Sequence, residues 1–166
     1  MVEIISNIIK KLKETAYSTF RDADMSKEDA KEYAEETISD AIHSFTNYAS
    51  SVAHMLRMVQ IWTVTSQYEG QEFRDKVEGL DRRRRSAHDA AIANLSMLNR
   101  ICDMLGIEKF TVDLNDRYAV GDWIGMFCTE LFQLDNCHSM DDYMKLTNYK
   151  EYTDEEVNEA IKKIIA

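Results

Sequence analysis

Four consecutive arginines, Arg82 to Arg85, are followed three residues later by His88, and they form the one concentrated basic run in a chain of formal net charge −10. Imidazole can carry the proton of a ribose 2′-hydroxyl, and guanidinium can steady the charge on a phosphorane. The pair therefore suits metal-independent cleavage of RNA. With four arginines in a row, some Arg stands at every offset from three to six before His88. Spacing therefore selects no single partner, and Arg82, Arg83, Arg84 and His88 together are the catalytic candidates. A second reading needs no catalysis. Glu78 and Arg82, Asp81 and Arg85, and Arg85 and Asp89 are each four apart and opposite in sign, the pattern of a salt-bridged helix face. On that reading Arg84, Arg85, His88 and Asp89 belong to a binding surface.

Other residues that could do chemistry are less well placed. Asp40-x-x-His43 puts two ligand types on one helical face, but a di-iron bundle needs a carboxylate and Glu-x-x-His pattern on further helices, and the chain does not repeat it. His54 and His138 have no neighbours at ligand spacing, so no metal is expected. Cys102 and Cys128 lie near apolar helix faces, and Cys137 sits beside His138, an adjacency that rarely has triad geometry. Trp62, Trp123 and the nine methionines read as core filling, so no cofactor is expected.

The arginines lie on a helix whose inward seam reads Phe73, Val77, Leu80, Arg84, Ala87, Ala91, Asn94, Leu98, Ile101 and Leu105, in unbroken steps of four and three. Four successive residues at about 100° each sweep most of a helix, so the arginines cannot all face water. The pattern points Arg84 inward, where it should meet a carboxylate or several carbonyls from another helix. A longer seam precedes it: Ala34, Ile38, Ala41, Phe45, Tyr48, Val52, Met55, Val59 and Trp62. The break at Glu69-Gly70 is short enough to force an antiparallel return. Folding about that point sets Met55 opposite Arg84, Val52 opposite Ala87 and Tyr48 opposite Ala91. Small polar residues at 48 to 51 are a place where the long helix could kink.

The expected fold is all-α. It is one antiparallel bundle over residues 1–166, built on a long hairpin of about 27–68 and 71–105. A first helix, from about Val2 to Phe20, precedes it with Ile4, Ile5, Ile8, Ile9, Leu12, Ala16 and Phe20 on one apolar face; Ser26 with Asp29 begins the second. Gly106 should stop the third helix. Phe110, Val112 and Leu114 alternate in a short extended strap, and a fourth helix follows from about Asp116 to Leu134. In it, Gly121 and Gly125 suggest a close helix contact. Two short helices should end the chain, opening at Ser139 with Asp142 and at Thr153 with Glu156.

At 45% hydrophobic content and 166 residues the chain is long enough to bury a core without metal or disulfide support. Three cysteines without a CxxC pair, behind an N-terminus with no apolar signal core, predict a reduced, cytoplasmic protein. No apolar run approaches the roughly 20 residues of a membrane span. Net negative charge disfavours direct nucleic-acid binding. Acidic residues concentrate in 22–40 and 135–159, each with eight carboxylates against two lysines. Such surfaces suit a basic protein partner, and the long seams are compatible with a homodimer.

Two resemblances add to this. The Arg/His spacing resembles the Arg-x4-6-His motif of the HEPN ribonuclease and toxin superfamily, although a polar Asn or Asp usually follows that Arg and here another Arg does. The runs YEGQEFRDKVEGLDRRRRSAHDAAI, LNR, GIEKF and DRYAVGDWIGMF, from Tyr68 to Phe132, are similar to an uncharacterised family of small helical proteins from Gram-positive bacteria and their mobile elements. That resemblance implies a bacterial cytoplasmic setting and assigns no catalytic residue. The expected function is a non-enzymatic binding or regulatory protein of a mobile element, for which an anti-defence inhibitor imitating nucleic-acid charge is one version. The alternative is a HEPN-like ribonuclease or toxin.

Overall fold

No proline and only five glycines leave few places where a helix must stop. A computed structural model of the chain describes residues 2–64, 70–104, 106, 108–132 and 151–166, with side chains placed at all of these but 2–6, 8 and 60–64. Among the described residues there are five helices and no strand: α1 (Val2–Asp22), α2 (Lys27–Val64), α3 (Gln71–Met104), α4 (Arg117–Leu131) and α5 (Asp154–Ile165). The expected end of α2 at 65–68, the short helix opening at Ser139 with Asp142, and Cys137 and His138 lie outside the described residues.

Each helix end has a local cause. After α1 the chain turns at Asp24, whose φ of 59° is left-handed, and Ser26 Oγ then accepts from Asp29 N at 3.1 Å to open α2. Gly106, at φ 65°, follows α3 as its place in the sequence predicts. The Asp116 carboxylate caps α4 by accepting from Tyr118 N at 3.0 Å and Ala119 N at 3.2 Å. Thr153 and Glu156 form the complete capping box at the start of α5.

The long helix α2 is the central element, with α1, α3, α4 and α5 all packed on it. Its buried residues Ala34, Ile38, Ala41, Phe45, Tyr48 and Val52 follow the expected steps. It is helical without a break through 48–51, where Thr46 and Ser51 return their hydroxyls to the carbonyls of Ile42 and Asn47, one turn earlier. From α3 come Ala87, Ala91, Leu95, Leu98 and Cys102, and from α4 Val120, Ile124, Phe127 and Cys128. Phe45 stands edge-on to both Trp123 and Phe127, with ring centroids 5.2 Å away in each case. The connection from α3 to α4 is the expected strap: Phe110 is buried, Val112 and Leu114 are half-buried, and Thr111 and Asp113 face water. Its start is pinned by Phe110 N donating to Asn99 Oδ1 at 3.1 Å and by the Phe110 ring against Trp123.

Two expectations for the hairpin need correction. Burial along the seam is graded, not continuous: Phe73, Val77 and Leu80 are only half-buried, and α3 is first buried at Ala87. The register also differs. The Tyr48 ring packs on His88, three residues before the Ala91 expected opposite it. Asn94, a half-buried seam residue, satisfies its amide by donating to the Ala90 carbonyl at 3.0 Å.

Helix α5 buries Val157, Ala160 and Ile161 against α1 and α2, and polar tethers fix its direction. Tyr152 N donates to Ser50 Oγ at 3.1 Å, His43 Nε2 meets Asn158 Oδ1 at 3.0 Å, His54 pairs with Glu151, and Lys13 Nζ donates to the Ile165 carbonyl. His43 and His54 thus serve as docking points for the C-terminal helix. No helix among the described residues is long and apolar enough to cross a membrane.

Candidate functional site

Residues of three helices converge on His88. α3 carries it one turn after Arg84 and beside Asp89; α2 supplies Tyr48; and the cap at Asp116 starts α4 so that Arg117 and Gly121 close the third side. The ring is 2% exposed. Its Nε2 lies 3.4 Å from the Arg117 carbonyl oxygen, a long contact in which the ring donates. That tautomer leaves Nδ1 as a lone-pair acceptor with no hydrogen-bond partner among the described residues; the nearest carboxylate oxygen, on Asp89, is 3.9 Å away. Burial lowers the His88 pKa from its ordinary value. The charges of Arg117 and Arg84 act in the same direction, opposed by the Arg117 carbonyl and by Asp89. Burial thus favours the neutral imidazole.

Arg84 is turned partly inward, with 25% of its side chain exposed, and its partner is not the expected group from another helix. Asp81, three residues earlier on α3, accepts from Arg84 Nε at 3.0 Å and from its Nη2 at 2.8 Å. The physical reason is reach: a guanidinium one turn along the same helix face can fold back on the carboxylate without any neighbouring helix supplying one. Asp81 also takes Arg85 Nε at 3.0 Å, the i,i+4 pair that the spacing predicts. Hydrogen bonding from Arg84 holds the Asp81 carboxyl below its usual value. For Arg84, burial works against the charged form, but Asp81 and the Tyr48 hydroxyl together outweigh it and raise the pKa. Burial pushes the Tyr48 phenol upward, with Arg84 opposing.

The structure divides the arginine run. Arg84, His88 and Asp89 are gathered with Tyr48 and Arg117; Asp89 Oδ1 accepts from Arg117 Nη2 at 3.4 Å, and does not pair with Arg85. Arg82 is exposed, and among the described residues it forms no ion pair with Glu78. Arg83 points to another side, where it lines a polar cleft of about 430 Å³ with His43, Asn47, Ser50 and Glu151. An Arg/His pair sharing one open groove is therefore not assembled from Arg82 or Arg83 with His88. Among the described residues no cluster of His, Cys, Asp and Glu could hold a metal ion. Cys102 and Cys128 are buried, and burial raises the Cys102 thiol pKa, which makes it a poor nucleophile.

Tyr48 and Arg117 escape a reading of the sequence, and for Gly121 the sequence marks a close helix contact but not its partner. Tyr48 lies on the α2 seam, but nothing local marks it as the neighbour of His88. Arg117 and Gly121 belong to the DR and GDW pieces of the resemblance, and only the strap between α3 and α4 brings them against LDRRRRSAHD. Gly121 has a visible reason to lack a side chain: a Cβ there would come within 3.3 Å of the Tyr48 hydroxyl.

The family described as Protein of unknown function (DUF3232) matches residues 1–137, well beyond the stretch 68–132 that carries the resemblance. No curated protein and no solved structure matches the chain.

Proposed function

Since the chain belongs to that family of unknown function, we propose that it is a non-enzymatic binding or regulatory protein that docks on a basic protein partner through the outer face of α2. The observation that carries this reading is a row of carboxylates. Glu28, Glu32, Glu36 and Asp40 recur every fourth residue and are all exposed. None of the four forms an ion pair among the described residues. Side chains four apart lie above one another on a helix, so the row presents a continuous negative stripe about 18 Å long. Like charges at this spacing weaken a helix slightly, and a basic partner would offset that cost. An inhibitor of a nuclease or defence protein that occupies a nucleic-acid channel, carried on a mobile element, is the specific version this stripe suits.

The ribonuclease reading draws less support from the geometry. A general base must reach the proton it removes, and His88 is packed beneath Tyr48 with one nitrogen turned to a backbone carbonyl. We infer that the Tyr48, Arg84, His88 and Arg117 cluster is a joint that sets α4 against the hairpin, with Arg85 and Asp89 at its rim.

The test is affinity capture from a host lysate with wild-type protein and with Glu32→Lys/Glu36→Lys. Recovery of one basic protein that is lost with the variant and weakened by salt is the expected result. RNA degradation by the purified protein, abolished in a folded His88→Ala variant, would overturn the reading.

A further inference from the structure

Helix α3 has a second long face, turned away from its buried seam. Gly79, Ser86, Ala93, Met97 and Met104 recur at seven, seven, four and seven, a spacing that keeps them on one side of the helix. All five are exposed, and Met97 and Met104 keep 37% and 70% of their surface in water. A Cβ added to Gly79 would meet nothing within 4 Å, so no contact among the described residues asks for a glycine that weakens the helix it sits in.

Along one flank of this face run Asp75, Arg82, Asp89 and Arg100, spaced seven, seven and eleven. Their signs alternate, and all four are exposed. Asp89 accepts from Arg117 Nη2 at 3.4 Å and Asp75 from Gln71 Nε2 at 2.6 Å. Asp75, Arg82 and Arg100 form no ion pair among the described residues.

An alternating row read backwards has the opposite sign at every place. Laid antiparallel on a copy of itself, the row sets Asp75 beside Arg100 of the second copy and Arg82 beside its Asp89. Laid parallel, it sets like charge on like charge. A two-fold axis crossing α3 between Ser86 and Ala87 brings both pairs within two residues of level, about 3 Å along the helices, and repeats each pair on the other side of the axis. The same axis brings Gly79 within one residue of Ala93 of the second copy, where two small residues let the backbones approach. An uncharged centre excludes water, and the charges beside it fix direction and register.

We propose that α3 pairs antiparallel with α3 of a second copy of this chain through this face. The face is separate from the carboxylate stripe of α2, and the pairing does not depend on what that stripe binds.

Sedimentation equilibrium of the full chain between about 5 and 500 μM tests this. Reversible dimerisation is expected, weakened about hundredfold by Ala93→Arg, which sets a charge at the centre of the face. Asp75→Arg and Arg100→Asp should each weaken it about tenfold, and the double variant Asp75→Arg/Arg100→Asp, in which opposite signs meet again, should return to within about threefold of the wild type. Glu32→Lys/Glu36→Lys should dimerise as the wild type does. All these positions are exposed, where the fold is expected to tolerate change; Ser86→Arg replaces Ala93→Arg if the thermal melt of the latter shows otherwise. The proposal is overturned if the wild type is monomeric at about 500 μM, if the central arginine leaves dimerisation unchanged, or if the double charge variant associates no more tightly than the single ones. Loss of dimerisation in the Glu32→Lys/Glu36→Lys variant overturns it in favour of association through the stripe.

Discussion

Tyr48 and His88 meet edge to face across the hairpin, with ring centroids 5.2 Å apart and planes inclined at 68°. The contact seals the imidazole from solvent on the α2 side, while the Arg117 carbonyl receives its Nε2 from the α4 side. One histidine is thereby in register with three helices, and its protonation state bears on all of them.

Stability should therefore depend on pH through His88. Its folded pKa is lowered, chiefly by burial, so between the folded value and the ordinary value of about 6.5 the unfolded chain binds more protons. The penalty is absent above that ordinary value, grows as pH falls below it, and levels off below the folded value. Urea midpoints measured from pH 8 to pH 5, in about half-unit steps, should fall more steeply for wild type than for His88→Gln. Parallel curves for the two proteins would show that His88 is not buried neutral.

Gly121 and Tyr48 should be thermodynamically coupled. The Cβ added by Gly121→Ala comes to 3.3 Å of the Tyr48 hydroxyl, tight enough that the phenol must shift. In wild type the crowding should cancel the helix-propensity gain of about 1 kcal/mol. In Tyr48→Phe, which removes the hydroxyl, Gly121→Ala should stabilise. A double-mutant cycle reads the difference, and additive effects would exclude the close approach of α4.

Phe45 anchors the aromatic cluster with Trp123 and Phe127 and is 2% exposed. Phe45→Ala should cost about 3–5 kcal/mol. Near-ultraviolet circular dichroism should lose the Trp123 signal at the same time, because that indole is held edge-on by Phe45 and stacked on Phe127.

Beside residues 46–54 of α2, the cap of α5 is separable from the core. Thr153→Ala removes the acceptor for Glu156 N and should cost about 1 kcal/mol. Hydrogen exchange should rise in α5 and leave α3 unchanged. Equal acceleration in both would mean that α5 unfolds only with the whole bundle.

Much of this molecule is legible in one dimension. The spacing of Ala34, Ile38, Ala41, Phe45, Tyr48 and Val52 gives the inner face of α2, and Ser26, Gly106, Asp116 and Thr153 mark helix ends, because side chains within four residues decide both. The Asp81 to Arg85 pair is legible for the same reason. The partner of Arg84 follows the same local logic, since Asp81 is three residues away, and a place on the seam does not require a group from another helix.

The meeting of Tyr48, His88, Arg117 and Gly121 is of another kind. Periodicity says which face of each helix is apolar, but not how far one helix slides or rotates against the next. Here that is decided by Phe45 set edge-on to the stacked Trp123 and Phe127, by Phe110 pinned to Asn99, and by a glycine that admits a phenol. Local patterning determined that this chain would be helical and where each helix would turn inward. Only close packing of large rings against small residues, a property of the assembled interior, decided that His88 would be buried among three helices and that Arg83 would leave its neighbours for a different cleft.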